Sequence, residues 1–479
     1  MSYGIYIGKN LTRDGISYLG GYGDEPSSHW LELIPAADRD SAENIPVGVD
    51  HTADMPGVRS TVPQSAHTAR HLRVSYSYYK GVPAPITNGG LNEYGVAVRD
   101  IWSTSRQELI DMTPTTQSGP NYSDLARFVL ERAETARQGV ELIGALIGEY
   151  GESSYGGNSH LIADDNEAWV VIQFAGGQGL WAAERLGDNS IRASRPGYIL
   201  SVPIDQLEHP DYLYSSNFVS FAVSKGWFNS DRDMEFNANL IYGDGKQKWD
   251  GVEWIESQML DLASRPERIG IEDVMWAVRT PKLTGDTAGY GQVVPLREQK
   301  YSMLRMMWHA HIGAMAAPFT PVYMGMQEVP FEYRKHRYLS VGESSRFMDM
   351  RHYKQGETES LSTVSQGVES TRSATAIYKR LLYLVLQNPE EFADELQAIW
   401  MALESELLTK QSTIAKTSII LLEQKEANLA EQYLDYYCGS ELDKALDSAE
   451  ILAKSFELRT RLKFGIKNQS APLSMEQIW

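Results

Sequence analysis

The chain has 479 residues, 42% hydrophobic and 22% charged, ordinary values for a folded protein with a sizeable core. Its formal net charge of −19 argues against nucleic acid or an anionic membrane as the main partner, since both reward basic surfaces. The lone cysteine, Cys438, excludes an internal disulfide and a thiolate zinc site.

The opening reads as a β-hairpin. "YGIYIGKN" is rich in aromatic and β-branched residues, Asp14-Gly15 is a tight-turn signal, and "SYLGGYGD" supplies the second strand. "LRVSYSYY" (72–79) and "YGVAVRDIW" (94–102) are further strands. Apolar residues at helical spacing then predict a helix over 123–150: Leu125, Phe128 and Val129, followed by Leu142, Ile143, Leu146 and Ile147. Thr135 and Gln138 fit a capping box that would divide it in two, and Gly151 is a stop signal. Strands return in "SHLIADDNEAWVVIQF", "QGLWAAERL" and "SIRASRPGYILSV", with turns at "DDNEA" and "AGGQG".

Residues 206–300 carry a mixed pattern. From about 360 the character is helical: "STRSATAIYKRLLYLVLQ", a new start with Asn388 as cap and Pro389 at the first position, "EEFADELQAIWMALESELLTKQ", and two more segments to about Arg461. This order suits an α+β protein with two packed sheets, helices outside them and a helical C-terminal layer. A core over 2–350 and a helical region over 351–479 are the expected divisions. No run of about 18 apolar residues occurs and no basic-then-apolar leader is visible. A cytoplasmic location is therefore expected, and the sequon at Asn10 is idle.

Ser2 poses the chemical question. Exposed as residue one, a serine carries both a hydroxyl and a free α-amine, whose pKa of about 7.7–8.0 suits a base near neutrality. Asp24 ends the second strand of the same hairpin, where it would reach that amine. The hairpin, with Ile7-Gly8-Lys9, Asp14-Gly15 and Asp24, resembles the start of the C69 (U34) dipeptidases, a family that includes the secernins. "GGLNEYGVAV" (89–98), "NEAWVVI" and "AAPFTPVYMG" resemble further family segments, so that the similarity extends over most of the chain. The resemblance implies a four-layer αββα Ntn-hydrolase sandwich and amide hydrolysis through an acyl-enzyme. It also marks departures. Ser2 stands where the family has Cys, Gly21 where related amidases have Arg, and Ser194-Arg195 where they have Asn-Arg.

On this reading Ser2 and Asp24 are catalytic, and Asn88 or Asn92 donates to the oxyanion. Both asparagines also suit turns. Ser194, Arg195, Asn158 and His160 are substrate-side candidates; salt bridging for Arg195 and a structural role for His160 are the plainer alternatives. His309 and His311, two apart on a strand, would share a face, but nothing nearby fixes a third metal ligand. Asp250, Glu253 and Glu256 read most simply as a solvated helix face. There is no G-x-S-x-G, no phosphate loop and no H-E-x-x-H.

The sequence thus reads as a dipeptidase- or amidase-like hydrolase acting on a small molecule or short peptide. It requires no metal and no organic cofactor, nucleic acid and membrane are not partners, and self-association is left open. A non-catalytic binding relative and an acyltransferase are the alternatives.

Overall fold

The structure is a computed structural model that describes residues 3–23, 28–50, 55–76, 82, 86–154, 156–194, 199–206, 209–284, 288–334 and 372–465. Fourteen strands build its two large sheets: β1 (Tyr3–Ile7), β2 (Ser17–Tyr22), β3 (His29–Ile34), β4 (His71–Tyr76), β5 (Ile86–Asn92), β6 (Ala97–Trp102), β7 (Asn158–Ala163), β8 (Ala168–Gln173), β9 (Trp181–Leu186), β10 (Ile191–Ser194), β11 (Tyr212–Tyr214), β12 (Gly291–Leu296), β13 (Met306–Ala310) and β14 (Thr320–Tyr323). One sheet has the order β10-β1-β2-β12-β13-β14, the other β11-β9-β8-β7-β6-β5-β4-β3. The protein is therefore mixed α+β.

The hairpin forms as expected. Gly15, at φ +70°, takes the left-handed turn position that a side chain disfavours, and β1 pairs antiparallel with β2 from Tyr3↔Tyr22 to Ile7↔Tyr18. Both strands are buried along their whole length, as strands covered on two faces must be. On one side Tyr3 Oη donates to Ala277 O and Tyr22 Oη to Leu283 O. On the other, β1 meets β6 and β7 of the second sheet, and β2 meets β6.

Helices cover the outer faces. The 123–150 stretch is indeed two helices, α1 (Tyr122–Arg132) and α2 (Ala136–Tyr150), which pack on β5, β6, β7 and β8. Thr135 Oγ1 accepts from Gln138 N at 3.2 Å, dividing them as the capping pattern predicts. Residues 206–300, unreadable by pattern, contribute α3 (Asp250–Ser264) against β10 and α4 (Ile271–Arg279) against β2 and β12.

The C-terminal layer is α5 (Ala374–Gln387), α6 (Pro389–Glu423) and α7 (Ala427–Phe464), with α6 and α7 seated on β14. Pro389 does open α6, but Asn388 makes no side-chain cap bond. One 35-residue helix spans the stretch read as two segments, because the polar run Lys410–Thr413 contains no residue that breaks a helix. The boundary expected at 350/351 lies outside the described residues. No described helix is long and apolar enough to cross a membrane.

Candidate active site

One row of residues crosses the inner face of the six-stranded sheet. Gly4 lies opposite Ser194 and Gly21; Gly21 lies opposite Gln292, Gln292 opposite His309, and His309 opposite Thr320. Directly opposed residues share a face, so these six form one row across the sheet. A Cβ added to Gly4 would meet Leu161, Ile101 and Arg99, which turns the row toward the eight-stranded sheet.

Ser2, Asp24 and Arg195 lie outside the described residues. Their chain neighbours are informative nonetheless. Tyr3 pairs with Tyr22, Gly23 N donates to Tyr290 O at 3.1 Å, and Ser194 faces Gly4. These attachment points all belong to one end of the sheet. Ser194 is fully buried and its Oγ has no hydrogen-bond partner among the described residues.

The other candidates divide. Asn88 is buried on β5 beside Gly89, the residue opposite Arg99. Asn92 is committed elsewhere: Nδ2 donates to Leu130 O at 3.2 Å and Ala133 O at 2.7 Å, and Oδ1 accepts from Tyr94 N and Val96 N. It ties the β5–β6 turn to the end of α1, the turn role that asparagine commonly fills. His160 lies opposite Asp100, one residue out of phase with the Leu161↔Arg99 pair, so it faces α1, with Nε2 3.1 Å from Tyr122 O. Asn158, two residues earlier, shares that outward face. The structure does not bring Asn158 or His160 to β1. Glu256, read as part of a solvated acidic face, instead accepts from Ala193 N at 2.8 Å and pairs with Lys248.

His309 and His311 meet each other. His309 Nε2 is 3.2 Å from His311 Nδ1, and His311 Nε2 is 3.2 Å from Thr375 Oγ1, which itself donates to His29 O at 2.6 Å. The threonine's single proton is thereby used, so His311 donates from Nε2 and accepts at Nδ1. His309 is left with Nδ1 bare, and that atom has no partner among the described residues. Burial holds His309 near pKa 3 and His311 well below the usual imidazole value. Among the described residues, no group of three His, Cys, Asp or Glu side chains could hold a metal ion.

The sequence reading passed over Arg99. It sits at the inner face of β6, fully buried, with no hydrogen-bond partner among the described residues for Nε, Nη1 or Nη2. Its guanidinium carbon lies 4.9 Å from the centroid of the Tyr290 ring. Tyr290 Oη donates to Gln292 Oε1 at 2.9 Å, and Gln292 Nε2 donates to Val98 O at 3.2 Å. The one available signal was a cation inside the otherwise apolar run "VAVR".

Comparison with known proteins gives this arrangement a class. Residues 77–252 match the model of peptidase family C69, as the opening and the Asn-Glu step implied. The match covers the middle of the chain rather than most of it, and begins downstream of β1 and β2. The chain is also similar to probable dipeptidase B of Streptococcus pyogenes serotype M3, 29% identical over 177 residues, which are 36% of this chain and 33% of the relative. Probable dipeptidase B of Lactococcus lactis is 27% identical over 165 residues, 33% of each chain. The matched part thus spans about a third of the length of these curated relatives. Two solved structures of conjugated bile acid hydrolase from Clostridium perfringens, a mutant and a variant, overlap at TM-scores of 0.31 and 0.34. Their identities are 13% and 12%, covering 65% and 68% of this chain and 89% and 93% of theirs. Overlap at that level says nothing about the site.

Proposed function

We propose that the chain is an amide-bond hydrolase, dipeptidase- or amidase-like, in which Ser2 is the nucleophile once it is residue one of the mature protein. We read the helix, sheet, sheet and helix layers as the αββα sandwich of the Ntn hydrolases. The observation that carries the proposal is the seating of β1. It is a wholly buried interior strand between β10 and β2, and its first described residue is pinned through Tyr3 Oη to α4. A group attached before Tyr3 therefore starts from a fixed point at the sheet end, beside Gly23 and Ser194. The family match over 77–252 supports the same class.

The proposed cycle needs no cofactor. The Ser2 α-amine, directly or through a water, takes the hydroxyl proton as Oγ attacks the substrate carbonyl. Asn88 and backbone N–H groups hold the oxyanion. The amine returns its proton to the leaving amine, and water resolves the ester. Asp24 orients the amine. Ser2→Ala removes the nucleophile while keeping the amine, so turnover of a short peptide falls by at least about a thousandfold with the folded state unchanged. Full turnover by the folded variant would overturn the proposal.

A further inference from the structure

Burying a guanidinium without an anion is costly, and Arg99 is such a group. Its three nitrogens have no hydrogen-bond partner among the described residues, and the side chain is 0% exposed. The Tyr290 face returns only part of the hydration lost. On the same row Gln292 bonds Val98 O through its amide and Tyr290 Oη through its carbonyl oxygen, and not Arg99. The arginine's stem passes close to the backbone of β1 and β2. Cβ atoms at Gly4 and Gly21 would stand 3.4 and 3.2 Å from Arg99 Cγ, and a Cβ at Gly21 would also lie 2.5 Å from Tyr3 O. From there the side chain runs toward Tyr290, whose carbonyl accepts from Gly23 N. The head thus lies toward the sheet end where β1 begins.

We propose that Arg99 is the carboxylate receptor of the site: its planar fork binds a free carboxylate of the substrate. The inference rests on the reading above, that the site lies at this end of the sheet. It makes the substrate class more specific: a short peptide or acylated amino acid bearing a carboxylate close to the scissile amide. Arg99 holds and orients that group, and takes no proton.

The test uses one dipeptide and its C-terminal amide, alanyl-alanine and alanyl-alaninamide, with the full chain. Calorimetry on Ser2→Ala measures binding without turnover, and steady-state kinetics on the native chain separates KM from kcat. Net hydrogen bonds to charged groups correspond to roughly 10- to 150-fold in affinity. The free acid should therefore bind at least about tenfold more tightly than the amide. Adding Arg99→Met to Ser2→Ala should erase that preference by weakening the acid alone, and Arg99→Lys should restore part of it. In the otherwise native chain, Arg99→Met should raise KM for the acid with little change in kcat. Equal binding of acid and amide, no binding of either, or an equal loss for both in Arg99→Met would overturn the assignment; the first two need no variant at position 99. An Arg99-dependent preference in a chain that turns over without Ser2 would retain the receptor and reject the nucleophile. Ser2-dependent turnover with no preference would do the reverse.

Discussion

Two arginines among the described residues are buried almost completely, and they differ in one respect. Arg279, at the end of α4, is 2% exposed and lies over Phe319, with 5.0 Å from guanidinium carbon to ring centroid. Arg99 is equally buried and lies over Tyr290 at 4.9 Å. Arg279 pairs with Glu404 of α6, whose Oε1 also accepts from Phe319 N; among the described residues Arg99 has no hydrogen-bond partner. A cation with an internal counter-ion binds one part of the chain to another, here the helical layer to the sheet layer. A cation without one among the described residues makes no such tie.

That contrast breaks most visibly in stability. Arg279→Met strands the Glu404 carboxylate in the core, and loss of one member of a buried pair costs about 3–5 kcal/mol. Urea denaturation should show a loss of that size, and a neutral result would mean that the pair does not tie the layers together. Asn92→Ala leaves buried backbone groups of the β5–β6 turn unsatisfied and should cost about 2 kcal/mol in the same assay. A loss of turnover with stability intact would instead return Asn92 to the site. Arg99→Met exchanges an uncompensated charge for an apolar chain of similar length, so its denaturation midpoint should stay within about 1 kcal/mol of the native value, or rise. A loss as large as that of Arg279→Met would show that Arg99 has a structural partner.

Acid should weaken the fold through its buried imidazoles. Burial depresses His71 and His160 to about 4 and His309 to about 3, against about 6.5 in the unfolded chain. Groups shifted down in the fold contribute stability above their unfolded pKa and lose it as pH falls toward the folded one. Glu152 acts in the opposite sense: desolvation raises it to about 8, so its contribution is full below about 4.5 and fades as pH rises through 8. Three histidines outweigh one glutamate, and the melting temperature should fall between pH 7 and pH 5. A flat profile over that range would show that these histidines titrate normally.

How much was legible in the sequence follows from what each residue answers to. The β1–β2 hairpin and the α1–α2 division were readable because Asp14-Gly15 and Thr135 act locally. Asn92 was misjudged because a turn asparagine and an oxyanion donor look alike until their partners are known, and its partners are carbonyls about 40 residues away. Arg99 was invisible for a related reason. In "VAVRDIW" it reads as the solvent-facing member of a strand, and only the approach of Gly4 and Gly21, far away in the chain, shows that no solvent lies there. The length of α6 escaped because its polar middle weakens the hydrophobic period without breaking the helix.

The central claim is that Ser2 acts as an N-terminal nucleophile. Intact mass of the purified native protein, before and after a serine-reactive acylating probe, tests it most directly. The account predicts a chain that begins at Ser2 and gains one adduct, mapped by fragmentation to that residue. A chain that retains Met1 and takes no adduct would contradict it.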